Sequence, residues 1–210
     1  MTSSGAGLQS SGSAASSEIF SLVAHELRQP LSNIESIAYY LSLVLARNDE
    51  KIQEQLTRIR QLVEQSNWIL SSGLRLTGSA SPAPESLDLE ELVTHAVSSA
   101  GPQPNLRLEL AGNLPLVQLD PRQGRELVDT LMMLIRPVMT KATPAILRTS
   151  AGQAGAVLEV LVSPAGIESS LGAGSELCVE SARKIAQAHG GTLECQLDPA
   201  IGIRISVMLP

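Results

Sequence analysis

The chain has 210 residues, 43% of them hydrophobic and 17% charged, with a formal net charge of −6, which supplies apolar material for one large domain or two smaller ones. Aromatic residues are only 2% (Phe20, Tyr39, Tyr40 and Trp68) and no Lys/Arg cluster runs beyond two or three residues, which argues against a base-stacking or phosphate-tracking surface and so against a nucleic-acid partner. No apolar run approaches the roughly 18 residues that cross a bilayer, the chain does not open like a signal peptide, and Cys178 and Cys195 lack metal-ligand spacing; the expectation is a soluble, cytoplasmic protein with reduced, buried thiols, either whole or as the cytoplasmic piece of something longer.

Residues 1–17 begin MTSSGAGLQSSGSAAS, a Ser/Gly/Ala-rich composition that predicts disorder. Ser17 before Glu18 offers a helix N-cap. Phe20, Val23, Leu27, Pro30, Ile34, Ile37, Leu41 and Val44 then recur at spacings of three and four, Arg47 to Glu50 break the pattern, and Ile52, Leu56, Ile59, Val63, Ser66, Leu70 and Gly73 resume it. This predicts two helices joined as a hairpin over residues 18–77. A lone hairpin cannot bury such a stripe, so the economical solution is a homodimer that closes a four-helix bundle.

Residues 78–86, GSASPAPES, read as a linker. Beyond them, residues 87–210 mix strands and helices without strict alternation. Strands are expected at 87–89, 106–110, 116–119, 145–149 and 156–162, with a final hairpin at 192–197 and 202–209; helices are expected at 90–99, from Asp120-Pro121 to Ile135, and at 175–189 ended by Gly190-Gly191. The fold class is therefore a helical hairpin followed by an α/β two-layer sandwich.

Within the first helix the row AHELRQPL, residues 24–31, interrupts an apolar pattern with a histidine, an acid, an arginine, an amide and a proline. At about 100° per residue, His25 points away from the stripe through Val23 and Leu27, and Gln29 shares its face. An imidazole accepts a phosphoryl group when one nitrogen is unprotonated and exposed. Glu26 is placed to hold the tautomer, Arg28 is a candidate phosphate contact, and Pro30 removes a helical hydrogen bond just past the histidine. His95 and His189 are weaker candidates; His189 reads as a cation at a helix C-terminus.

HELRQPL at residues 25–31 resembles the H-box of bacterial sensor histidine kinases, H-E-x-x-[TN]-P-L, and ARKIAQAHGGTLE with GIRISVMLP resembles the end of their ATP-binding domain. The resemblance covers about residues 18–210. It implies that His25 is the phosphoacceptor, with Glu26 and Gln29 as the other catalytic residues, and that Arg28, Ser32 and Ser21 meet a docked partner. It also implies that the metal-holding asparagines of that family fall at Thr130 and Leu134, that the adenine-reading aspartate falls at Pro164, and that Glu176 stands where GAGSEL, residues 172–177, lacks its last glycine. The lid between those boxes is nearly missing. Threonine and leucine cannot stand in for asparagine at a metal. By this resemblance the chain is similar in plan to dimeric histidine phosphotransferases, passing phosphoryl groups between receiver-domain aspartates without using ATP. No cofactor is then expected on this chain; Mg²⁺ is expected on the partner receiver, and the partners are response-regulator receivers and a hybrid histidine kinase. A receiver phosphatase using Gln29 to place water, a non-enzymatic scaffold, and a divergent histidine kinase remain as alternatives.

Overall fold

The computed structural model describes residues 7–45, 49–77, 81–153, 155–164, 171, 174–198, 200 and 202–210, with side-chain surroundings inside the first helix from residue 20 onward. The chain divides into two compact units, Met1–Ser79 and Ala80–Pro210.

The first unit is two helices, α1 (Gly7–Val44) and α2 (Glu50–Thr77). Asp49 caps α2, its Oδ1 accepting from the Ile52 N–H at 3.2 Å. The hairpin is antiparallel: Phe20, early in α1, lies against Gly73, late in α2, and Arg28 bonds Ser71. The start of α1 differs from expectation. Residues 7–17 are expected to be disordered, with the helix starting from a cap at Ser17, yet they extend the helix. Once the apolar segment has nucleated a helix, each added residue gains a hydrogen bond without a new nucleation cost, and Ser and Ala tolerate extension.

The apolar stripe divides into two parts. Small residues make the seam between the helices: Ala24, Ala38, Ser72 and Gly73 are buried, together with Leu56 and Val63. The larger side chains stay open to solvent, with Val23, Leu27, Ile34, Ile37 and Val44 all more than two-fifths exposed. The hairpin therefore leaves a row of branched apolar residues uncovered along α1, beside the seam.

The second unit is a two-layer sandwich. Strands β1 (Glu85–Leu87) and β3 (Val117–Leu119) pair antiparallel. The main sheet has the order β2 (Leu106–Glu109), β4 (Ala145–Gly152), β5 (Gly155–Val162), β7 (Gly202–Leu209), β6 (Thr192–Asp198). Only β2 and β4 run parallel; every other neighbour pair is antiparallel. The first strand ends at Leu87 rather than Leu89, because Asp88 is committed as the N-cap of α3 (Leu89–Ser99), accepting from the Glu90 and Glu91 N–H groups.

Alternation along β4 buries Ala145, Leu147 and Thr149 under the helices. Leu158, Val160, Ile203, Ile205 and Val207 extend that face, and Val93 of α3, Leu127, Leu131 and Ile135 of α4 (Pro121–Ile135), and Ala182 and Ile185 of α5 (Ser175–Ala188) cover it. Each fully buried Leu or Ile contributes about 1.5–3 kcal/mol of transfer free energy. The other face carries cross-strand ion pairs, Arg148 to Glu109 at 2.7 Å and Arg204 to Glu159 at 2.5 Å. Gly190 (φ +73°) ends α5, and a Cβ on Gly191 would stand 2.2 Å from the Met208 carbonyl, so only glycine lets β7 approach there.

Candidate functional site

The HELRQPL segment, residues 25–31, spans about two turns of α1. His25, Glu26, Gln29, Ser32 and Ser21 are exposed, and Arg28 is half-buried. His25 has no hydrogen-bond partner among the described residues, so both ring nitrogens are open to chemistry. Glu26 is its chain neighbour, and adjacent residues diverge by about 100° around a helix; no bond joins the two. Gln29 lies about 40° from His25 on the same face. Pro30 sits inside an unbroken α1. It has no N–H to give the Glu26 carbonyl, so that acceptor loses its helical donor one residue from His25.

Arg28 turns inward instead. Its Nη2 donates to Ser71 Oγ at 2.9 Å, across the hairpin. Sequence reasoning missed Ser71: it lies in a run of small polar residues at the end of α2, and nothing in its neighbours distinguishes it.

In the second unit, the positions that the resemblance assigns to metal and nucleotide are occupied by other chemistry. Thr130 is fully buried, and its Oγ1 donates to the Glu126 carbonyl at 2.7 Å. Leu134 is 4% exposed and belongs to the hydrophobic core. Leu134 has no ligand atom, and the Thr130 hydroxyl is wholly buried within the unit, so neither presents a ligand to a hard cation at the surface. Pro164 follows β5 half-buried and brings no carboxylate; Glu176 is exposed in the first turn of α5, whose N-cap is Gly174. Of the two glycine-rich boxes and the lid between them, residues 165–170, 172 and 173 lie outside the described residues. An open groove of about 620 Å³ lies elsewhere, on α3, lined by residues that include Leu87, Glu91, Leu92, His95 and Pro121. Among the described residues no group of three or more His, Cys, Asp and Glu could hold a metal ion, and no helix is long and apolar enough to cross a membrane.

Two polar clamps hold this unit. His189 is buried, and it is not the surface cation its helix-end position suggests. Its Nε2 accepts from the Asp120 N–H at 3.1 Å, while its Nδ1 faces the Ile185 carbonyl at 2.8 Å. A ring that accepts at Nε2 and donates at Nδ1 is neutral. The Asp120 carboxylate accepts from the Ala83 N–H at 2.9 Å and from the Gln123 and Arg122 N–H groups at the start of α4. Those donors, Ala83 first, hold its pKa below the ordinary value. Glu90 accepts from the Thr149 hydroxyl at 2.5 Å and from the Gly112 N–H, and its pKa is lowered by the same cause, Thr149 first. Burial pushes the Cys195 thiol up, away from reactivity.

No protein-family model matches the chain. Two curated sensor proteins are similar to nearly all of it. Sensor histidine kinase ZraS of Klebsiella oxytoca is 24% identical over 208 residues, covering 90% of this chain and 44% of its own. Alginate biosynthesis sensor protein KinB of Pseudomonas aeruginosa is 26% identical over 228 residues, covering 92% of this chain and 37% of its own. The chain thus spans less than half the length of the curated relatives it matches. Among solved structures, full-length ShkA in complex with AMPPNP matches with a TM-score of 0.58 at 18% identity, over 90% of this chain and 45% of that one. Acinetobacter baumannii histidine kinase AdeS matches with a TM-score of 0.55 at 14% identity, over 88% of this chain and 96% of that one. In sequence and in fold the chain is histidine-kinase-like: two helices followed by a mixed α/β unit.

Proposed function

We propose that this chain is a cytoplasmic histidine phosphotransfer protein of two-component signalling that relays phosphoryl groups between receiver aspartates through His25 and does not use ATP. One contrast carries the reading. The proposed phosphoacceptor turn is open and its histidine unpartnered, while the two positions that would hold metal at the nucleotide are a fully buried hydroxyl and a leucine in the core.

In the transfer, the lone pair of an unprotonated His25 nitrogen attacks phosphorus of the receiver's aspartyl phosphate. The acyl P–O bond breaks, the aspartate carboxylate is restored, a P–N bond forms, and the ring sheds its N–H proton. Attack on phosphohistidine by the aspartate of a second receiver reverses these changes. Mg²⁺ would sit on the receiver. Glu26 favours the reactive tautomer electrostatically, and Ser21 and Ser32 lie where a docked receiver would touch α1. The uncovered row Val23, Leu27, Ile34 and Ile37 would close against a second copy.

The test is incubation with labelled phospho-receivers. Acid-labile label should appear on this chain and vanish in His25→Ala. Gln29 on the same exposed face supports a second reading, a receiver phosphatase; there the receiver would lose phosphate to water, Gln29→Ala would stop the loss, and His25→Ala would not.

A further inference from the structure

The bond from Arg28, the candidate phosphate contact, to Ser71 points to a role for Ser71. Resting on the phosphotransfer reading above, we propose that Ser71 is a positioning residue for that reaction: it holds the Arg28 guanidinium over the His25 turn, where the remaining N–H groups meet oxygens of the incoming phosphoryl group.

Arg28 is three residues from His25, so the two are surface neighbours on α1. The direction of the side chain follows from its partner. Phe20 rests against Gly73, and Ser71 is two residues before Gly73, about 3 Å along the helix axis. In an antiparallel hairpin Ser71 therefore stands opposite the turn just after Phe20. To reach it at 2.9 Å, Arg28 leans toward the α1 N-terminus, as long side chains on helices do, and so passes back along the turn that carries His25.

A guanidinium has five N–H groups, and Ser71 takes a bond from Nη2; no other partner is present among the described residues. The chemical type of residue 71 matters as much as its place. A carboxylate there would neutralise Arg28. A hydroxyl orients the fork and leaves its charge for a phosphoryl group, to which arginine binds with charge-assisted bonds. Half-burial reduces screening of that charge by salt.

The experiment uses the full chain and potassium phosphoramidate as donor. The P–N bond of the donor breaks, a P–N bond to the His25 ring forms, and the ring proton passes to the departing ammonia. A donor this small does not dock, so weakened receiver binding cannot imitate the effect. Arg28→Ala should slow phosphohistidine formation about 10–100-fold, the range for a bond to a charged group. Ser71→Ala should slow it about 3–10-fold, and Ser71→Thr, which keeps the hydroxyl, should stay within about twofold of wild type. In the Arg28→Ala background Ser71→Ala should cost nothing more, an outcome that a purely structural role for Ser71 would not give. If Arg28→Ala unfolds the hairpin, the Ser71→Ala and Ser71→Thr pair decides alone. Wild-type rates in Ser71→Ala, or no labelling of wild-type His25 by phosphoramidate, would overturn the proposal. The phosphotransfer reading is judged separately, by labelled receivers, and survives if they label His25 while Ser71→Ala is silent.

Discussion

His189 and His25 show how far position on a helix decides what a histidine can do. His25 lies inside α1, and His189 is the C-cap of α5. His25 has solvent on its face, whereas His189 is buried between the end of α5 and the start of α4, with one ring nitrogen accepting and the other donating. Removing His189 leaves the Asp120 N–H and the Ile185 carbonyl without these partners. His189→Ala should therefore lower the unfolding free energy of the second unit by about 1–3 kcal/mol, read from denaturant midpoints at constant m-value. The depressed carboxylates set a second residue-scale outcome. Asp120 and Glu90 titrate below ordinary values of 3.8 and 4.5. Their contribution is fully present above those values and is lost as the pH falls through the still lower folded-state pKa values. The melting temperature should drop steeply below about pH 4, and Asp120→Asn should flatten that drop. The exposure of His25, Glu26 and Gln29 was legible in the sequence because these residue types are chemically odd for a packing helix. Ser71 and the roles of His189 and Asp120 were not, since each depends on a partner dozens of residues away that only folding supplies.

At the scale of elements, strands β4 to β7 and helices α3 to α5 could be read from alternation and turn chemistry within a residue or two at most ends. The larger errors have local causes. The first helix starts at Gly7 because extension of an existing helix is cheap; the first strand stops early because Asp88 serves as a cap. The apolar periodicity of α1 merged two faces into one stripe. Folding separates a small-residue seam against α2 from an open row of branched residues. That row argues for self-association. If the proposed homodimer closes on that row, Ile34→Glu paired with Leu27→Glu should shift it to monomer in sedimentation or light scattering, since buried charge without a partner is costly. Close approach is equally strict at Gly191. Gly191→Ala, pressing a methyl against the Met208 carbonyl, should destabilise the β6–β7 hairpin by about 1–3 kcal/mol in the same unfolding assay.

At the scale of the whole molecule, the likeness to sensor kinases fixes the plan of the chain and leaves its chemistry to particular side chains. A nucleotide site needs ligands in the right shell, and here Thr130 and Leu134 have been drawn into the core of α4. The proposed phosphoacceptor needs exposure and an unpartnered ring nitrogen, and His25 has both. The central claim is that phosphoryl groups enter through receivers and not through ATP. The most direct measurement offers the purified chain labelled Mg·ATP and, separately, labelled phospho-receivers, and reads acid-labile label on His25 against a His25→Ala control. The account predicts no label from ATP and His25-dependent label from a receiver. ATP-derived label on His25 would contradict it and make the chain a working kinase.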